Sequence, residues 1–293
     1  MKLDKDRSNG SEYHHYTDVL NRDTTLVRSE GILERVVFSL FKDPVSIGVD
    51  DIKFAVLGDL HGHLTDALGK LKEWVNFCGC YPQAILQVGD LGAFDYTHGF
   101  DATTKKMSRK DPQQLGFLDY FYGSEIADSY FGKNGCFRSI PFYFVDGNHD
   151  NLNTIISMRN LSCCDNLTYL KSGELVDIGK DTRRVSLCGI GWHDIEKTLK
   201  RVEGRSVDIL LTHTANPYVS SPEFRDFGVS YNFHFFGHHR DAPEKSRIEN
   251  NSYGLSNVRI ERGHLNPGSM GWLSISPEGK GSFIYLPEKI SED

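Results

Sequence analysis

Apolar residues in this chain fall into short unbroken runs, separated by polar stretches rich in glycine. Phe54-Ala55-Val56-Leu57, Ala84-Ile85-Leu86-Gln87-Val88 and Pro141-Phe142-Tyr143-Phe144-Val145 each read as a strand buried on both faces. Residues 185–190, 207–211 and 232–236 read the same way, and two more strand candidates follow near 272–275 and 282–286. After the first run the period changes. Leu64, Leu68, Leu71 and Val75 share one face of a helix. Strand, helix and strand in this order predict a parallel pair with its functional loops at the carboxyl edge of the sheet. A further helix is expected from about Leu152.

Helical spacing also occurs earlier. Ile32, Leu33, Val36, Val37, Leu40 and Phe41 fit one face, with Ser29 as a candidate N-cap and Pro44 beyond the end. An amphipathic helix is therefore expected within an N-terminal extension of residues 1–50. Residues 51–293 show no repeat or linker and read as one domain. It carries an insertion at about 93–140, with Asp95, His98, the basic residues Lys105, Lys106, Arg109 and Lys110, and the aromatics Phe117, Tyr120, Phe121, Tyr122 and Tyr130. Two readings of it stand: a substrate-facing cap, or a surface excursion with a small satellite core.

Composition narrows the function. Hydrophobic residues make up 39% of 293 residues, and no apolar run approaches a membrane span. The polar start, Met1-Lys2-Leu3-Asp4-Lys5-Asp6, carries no secretory h-region. Six cysteines without framework spacing point to free thiols and a reducing, cytoplasmic location. The net charge of −7 makes extended nucleic acid an unfavourable partner but does not exclude a small phosphorylated substrate.

Chemistry collects at the strand ends. The first strand runs into Gly58-Asp59-Leu60-His61-Gly62-His63 and the second into Gly89-Asp90-Leu91-Gly92. The third ends in Asp146-Gly147-Asn148-His149-Asp150. Two later ones end in Thr212-His213-Thr214 and Gly237-His238-His239-Arg240. A lone histidine after a strand is ordinarily a turn residue. Five strand ends with carboxylate, amide or imidazole are a mixed oxygen and nitrogen donor set suited to divalent transition metals.

This order of blocks resembles the calcineurin-like metallophosphoesterase superfamily. The matching blocks are GDLHGH at 58–63, GDLG at 89–92, GNHD at 147–150, THT at 212–214 and GHHR at 237–240, spanning most of residues 52–240. Asn266-Pro267-Gly268-Ser269 is similar to a late block in bacterial phosphodiesterases of that superfamily. Gly189-Ile190-Gly191-Trp192 is a less specific match. The resemblance implies an α/β fold of four layers, two mixed β-sheets packed as a sandwich with flanking helices. It also implies two divalent metal ions, with manganese, iron, zinc and nickel all admitted by the donors. Asp59 and His61 would hold the first ion, Asp90 would bridge, and Asn148, His213 and His238 would complete the second. His149 would act as proton donor or phosphate-orienting group. Asp150 would hydrogen-bond that imidazole or a neighbour and fix its tautomer. The implied activity is hydrolysis of a phosphate mono- or diester, nucleotides included, through a metal-activated hydroxide.

One position departs from the pattern. The last block is usually Gly-His-x-His, and here Arg240 stands where the second histidine completes the first metal. Three readings are open: His239 reaches the metal through a backbone shift, Arg240 holds phosphate in its place, or the first site is weakened. In an extended segment 238 and 240 share a face and 239 points away, which argues against a simple exchange. The competing function is a weakly active or non-catalytic interaction module on the same fold. A protein phosphatase is a lesser option, because GDLG lacks the following Asp-Arg-Gly and Asp150 stands where that branch has Glu. His63 is a further candidate for substrate contact, or else an ordinary helix N-terminal residue. His98, His193, His234 and His264 read as structural or exposed.

Overall fold

The computed structural model describes residues 50–159, 161, 165–180, 183–193, 195–215, 228–238 and 251–289, and the backbone of six short strands between residues 7 and 48. The strand signals before and after the first helical pattern form as read. Strand β1 (Ile52–Leu57) leads through helix α1 (Leu64–Cys78) to β2 (Ala84–Gln87). Along β1 the pleat sends Phe54 and Val56 to one face and Ala55 and Leu57 to the other, and all four are fully buried. Burial on both faces is why these runs are continuous rather than alternating.

After β2 come α2 (Ala102–Met107), a 3-10 turn at Pro112–Leu115, α3 (Phe117–Tyr122) and α4 (Glu125–Phe131). Strand β3 (Phe142–Phe144), helix α5 (Leu152–Met158) and β4 (Leu167–Tyr169) follow. The chain continues through β5 (Leu175–Lys180), β6 (Arg183–Ile190), α6 (Ile195–Val202), β7 (Ser206–Thr212), β8 (Ser230–Phe236) and β9 (Ser252–Gly254). It closes with β10 (Met270–Ile275) and β11 (Gly281–Tyr285).

One sheet has six strands in the order β4-β3-β2-β1-β10-β11, and the other has five in the order β5-β6-β7-β8-β9. Strands β1 to β4 are mutually parallel, and so are β6 to β9. Strands β10 and β5 join antiparallel. Between the sheets lies an apolar layer of Phe54, Val56, Leu86 and Val88 against Leu187, Ile209, Leu211, Phe233 and Phe235. On the outer face of the six-stranded sheet, Leu64, Leu68, Leu71 and Trp74 of α1 pack on Leu57, Ile85, Phe142 and Phe144. On the outer face of the other, Val202 of α6 packs with Cys188 and Leu210. These are the two mixed sheets with helices outside that the blocks implied.

The insertion has no separate satellite core. Phe117, Tyr120, Phe121, Ala127 and Phe137 join the helix-side core of α1. Helix α2 and the 3-10 turn instead reach the carboxyl edge of the sheets, where the site lies.

The expected helix over 32–41 is corrected. Ile32–Val37 is a strand paired antiparallel with Thr24–Ser29 and with Val45–Gly48, while 38–41 lie outside the described residues. Three of the six residues in this strand are β-branched. Their preference for extended backbone, with two strand partners, outweighs a spacing that also fits a helix. Among the described residues no helix is long and apolar enough to cross a membrane. Cys78, Cys80, Cys136 and Cys188 are free thiols.

Candidate metal centre

The parallel strands of two facing mixed sheets bring five strand ends to one edge. The loop after β1 is fastened to the loop after β2: Leu60 and His61 both donate their backbone N–H to Asp90 O, at 2.9 and 2.8 Å, and Gly62 donates to Leu91 O at 3.0 Å. Buried Gln87, the last residue of β2, spans both loops, donating to Gly58 O at 3.2 Å and accepting from Gly89 N at 3.1 Å. His61, Asp90 and His238 all have positive φ, of 43°, 53° and 55°. Left-handed backbone at non-glycine residues is disfavoured, and three instances converging on one point mark a site whose geometry overrides local preference.

Two donor groups result. Asp59, His61 and Asp90 offer ligand atoms within 4.8 Å of one another, and so do Asp90, His213 and His238. Asp90 belongs to both. Its Oδ2 lies 3.7 Å from His61 Nε2 and its Oδ1 lies 3.5 Å from His213 Nε2, so each carboxylate oxygen faces one group. Glycines give these carboxylates room. A Cβ at Gly147 would run into Asp90 Oδ1, and one at Gly237 into Asp59 Oδ1.

The polar accounting fits a cation. His213 Nδ1 lies 3.0 Å from the Val88 carbonyl, which can only accept, so the proton sits on Nδ1. Its Nε2 then offers a lone pair, yet it faces Asn148 Oδ1 at 3.0 Å and Asp90 Oδ1. Three acceptors converge there with no proton between them, the arrangement a cation completes. The charge pattern agrees. Burial, and then the neighbouring carboxylate of Asp90, push Asp59 well above the usual range. Burial also raises Asp90 to about 6, against the backbone N–H of His149 at 2.6 Å. Burial first, then His149 and His213, lower His61 to about 3, and burial lowers His213. A divalent cation reverses the penalty on the carboxylates and suits neutral imidazoles.

His149 stands beside this centre, its ring 5.3 Å from that of His61. Its Nδ1 lies 2.9 Å from Asp101 Oδ2. Asp101 also caps α2, accepting the Thr104 N–H at 2.6 Å. Burial opposes the charge on Asp101, but the Thr104 N–H and the His149 imidazole hold it below its ordinary value.

The family model described as calcineurin-like phosphoesterase matches residues 52–239. The chain belongs to that family. No curated protein matches it. Among solved structures, one described as a novel archaeal phosphodiesterase is 12% identical. It aligns over 80% of this chain and 99% of its own, with a TM-score of 0.35. A structure described as a novel phosphatase from Mycoplasma pneumoniae is 8% identical over 82% of this chain and 94% of its own, with a TM-score of 0.36.

Within this family member the expected residues divide. Asp59, His61, Asp90, Asn148, His213 and His238 come together, with His149 beside them. Asp150 does not meet the His149 imidazole. It turns inward and accepts four backbone N–H groups, from Leu91, Gly92, Ala93 and Gly147, at 2.8–3.2 Å. It is a staple between two ligand loops; burial, then Asp90, push it up to about 7 while the Ala93 and Gly147 donors pull the other way. The imidazole's partner is Asp101, from the insertion. His63 lines the cleft, but both its ring nitrogens are engaged, Nδ1 by Asp66 at 2.9 Å and Nε2 by Asp111 at 3.0 Å. Burial disfavours its charge, yet those carboxylates hold it above its ordinary value. His239 and Arg240 lie outside the described residues.

Sequence reasoning passed over several supports. Asp146 accepts from Tyr169 Oη at 2.7 Å and from the His193 backbone at 2.9 Å, with His193 Nδ1 at 2.6 Å. This ties the end of β3 to the loop after β6. From that loop Trp192 stacks on His238 at 5.7 Å. The block Asn266-Pro267-Gly268-Ser269 anchors the first loop, Ser269 O accepting from Gly58 N at 2.8 Å and Asn266 Nδ2 donating to Asn257 O at 2.9 Å. His98 pairs with Asp95 at 2.7 Å, buried His234 lies 2.8 Å from Thr212 Oγ1, and His264 is exposed, all in keeping with structural or exposed roles.

Proposed function

We propose that this phosphoesterase hydrolyses a small phosphate ester, nucleotides among the candidates, at a centre of two divalent cations. Asp59 and His61 hold one, Asn148, His213 and His238 the other, and Asp90 serves both. The observation that carries this reading is Asp90, whose two oxygens face two separate donor groups. Oxygen and nitrogen donors of this mix accept manganese, iron, zinc or nickel. A pair of such cations held by these residues would supply an activated water molecule and offset charge growing at phosphorus.

The protein's own residues supply the proton. Ionised Asp101 accepts from His149 Nδ1, which leaves Nε2 as the atom that acts in the cleft. In its imidazolium form His149 donates from Nε2 to the leaving oxygen, and Asp101 steadies that charge. The His149 backbone N–H meanwhile holds Asp90 Oδ1. Asp150 fastens the loops of Asp90 and Asn148 together, so both donors keep their places.

The test is metal content per chain together with hydrolysis of bis(p-nitrophenyl) phosphate and p-nitrophenyl phosphate. The expected result is two metals and turnover, both lost in Asp90→Ala. One metal without turnover, with activity gained in Arg240→His, would overturn the enzyme reading in favour of an interaction module.

A further inference from the structure

Two grooves border the candidate centre, one at His61 and the other at Asn148. The first, of about 560 Å³, reaches His61 and runs between Thr103 and Met107 of α2 on one side and Asn257 and Arg259 on the other. The second, of about 390 Å³, reaches Asn148 and passes Phe94, Phe100, Leu152 and His193. His149 lines the first and Asp101 the second, and they are joined at 2.9 Å. The hydrogen-bonded pair is therefore the partition between the grooves. One groove begins at His61, a member of the first donor group. The other begins at Asn148, 3.0 Å from His213 of the second group.

The shape bears on the substrate. A phosphomonoester has one substituent, which fills one groove and leaves the other to water. Tetrahedral phosphorus in a diester sends two substituents apart, and two grooves divided by a wall can receive both. Charge points the same way. A monoester is a dianion near neutral pH, and its extra oxygen needs donors. Among the described lining residues the second groove has no lysine or arginine and carries the carboxylate of Asp101. The first has one guanidinium, Arg259, which is 3.8 Å from Glu261. A singly charged diester with organic groups on both sides suits such walls better.

We infer that the substrate is a phosphodiester whose substituents lie on opposite sides of the His149–Asp101 wall. Thr103 selects for the group in the first groove and Leu152 for the group in the second. The inference rests on the phosphoesterase reading above. Water's oxygen bonds to phosphorus and one P–O ester bond breaks. One proton ends on the departing alcohol, the other on the phosphomonoester or in solvent. Because His149 lines the first groove, the alcohol leaves from there and the monoester keeps its substituent in the second.

Two measurements on the metal-loaded protein test this. In binding, diphenylphosphinate, an uncleavable diester mimic, is expected to have a Kd at least about tenfold below that of phenylphosphonate, its monoester counterpart. In turnover, kcat/KM for bis(p-nitrophenyl) phosphate is expected to exceed that for p-nitrophenyl phosphate. Leu152→Trp, which fills the groove that only a diester's second substituent uses, is expected to lower that diester-to-monoester ratio about tenfold, whereas Thr103→Trp, which fills the leaving-group groove, is expected to lower turnover of both esters. Monoester turnover equal to or above diester turnover, phenylphosphonate binding as tightly as diphenylphosphinate, or a ratio unmoved by Leu152→Trp would overturn the diester inference and leave the phosphoesterase reading standing. Turnover of neither ester with two metals bound would overturn that reading and this inference with it.

Discussion

A single carboxylate at position 90 meets His61 through one oxygen and His213 through the other, and its own backbone is left-handed, with φ of 53°. Chemistry at this scale depends on displacements of a few tenths of an ångström. Gly237 shows it: the methyl group of Gly237→Ala would press on Asp59 Oδ1. Loss of metal affinity by about 10–100-fold is expected, as for other changes that displace a ligand, and a titration with manganese would show it. Asp101→Asn keeps a capping side chain but removes the charge facing His149. Metal content should hold, while kcat falls by roughly tenfold to a hundredfold, less than the ~10²–10⁴ of a proton donor itself. Stopped assays with metal analysis on the same sample would check both halves. His234 gives a pH prediction. Burial lowers its folded pKa to about 3 from an ordinary 6.5, so between those values the unfolded chain binds the extra proton. Its contribution is complete above pH 6.5 and is lost as pH falls toward 3, by at most about 1.4 kcal/mol per unit. Urea unfolding at pH 7 and pH 5 should show a smaller loss in His234→Gln than in the natural protein.

At the scale of elements, the helix α1 stripe carries much of the outer layer. Leu68 is fully buried against the six-stranded sheet. Leu68→Ala should destabilise by about 2–5 kcal/mol, read from the urea midpoint at unchanged m-value. The period of this helix was legible because its leucines are local and regular. The strand at Ile32–Val37 was not, because the same residues satisfy a helical spacing. What decides between them is the pairing with Thr24–Ser29 and Val45–Gly48, which a window on one segment does not see. The insertion sits between these cases. Its aromatic residues Phe117, Tyr120 and Phe121 fall in α3 and join the core around α1. That its first helix would deliver Asp101 to His149 had no signal, since a lone aspartate in a polar stretch is ordinarily a cap or a turn.

Over the whole molecule, the centre is a set of acids and imidazoles, most of them buried, gathered from both sheets. Cations that bind only the folded protein should stabilise it by mass action, about 2.7 kcal/mol at a free concentration 100 times Kd. Treatment with EDTA should therefore lower Tm and manganese should restore it. Asp90→Ala, which damages both groups at once, should remove that response.

What the sequence by itself determined is the order of chemistry along the chain. Buried strands announce themselves by unbroken apolar runs, and five of them ended in a donor of a recognisable type. Parallel strands then leave those donors little choice but one edge. Tertiary structure alone decided the rest. Asp101 reaches His149 across 48 residues of chain, Asp150 faces four amides rather than the imidazole, and two grooves open where the insertion meets the loop after β9 and the start of α5. Such contacts follow from how loops pack over a shared edge. They have no period and no fixed spacing, so no local pattern records them.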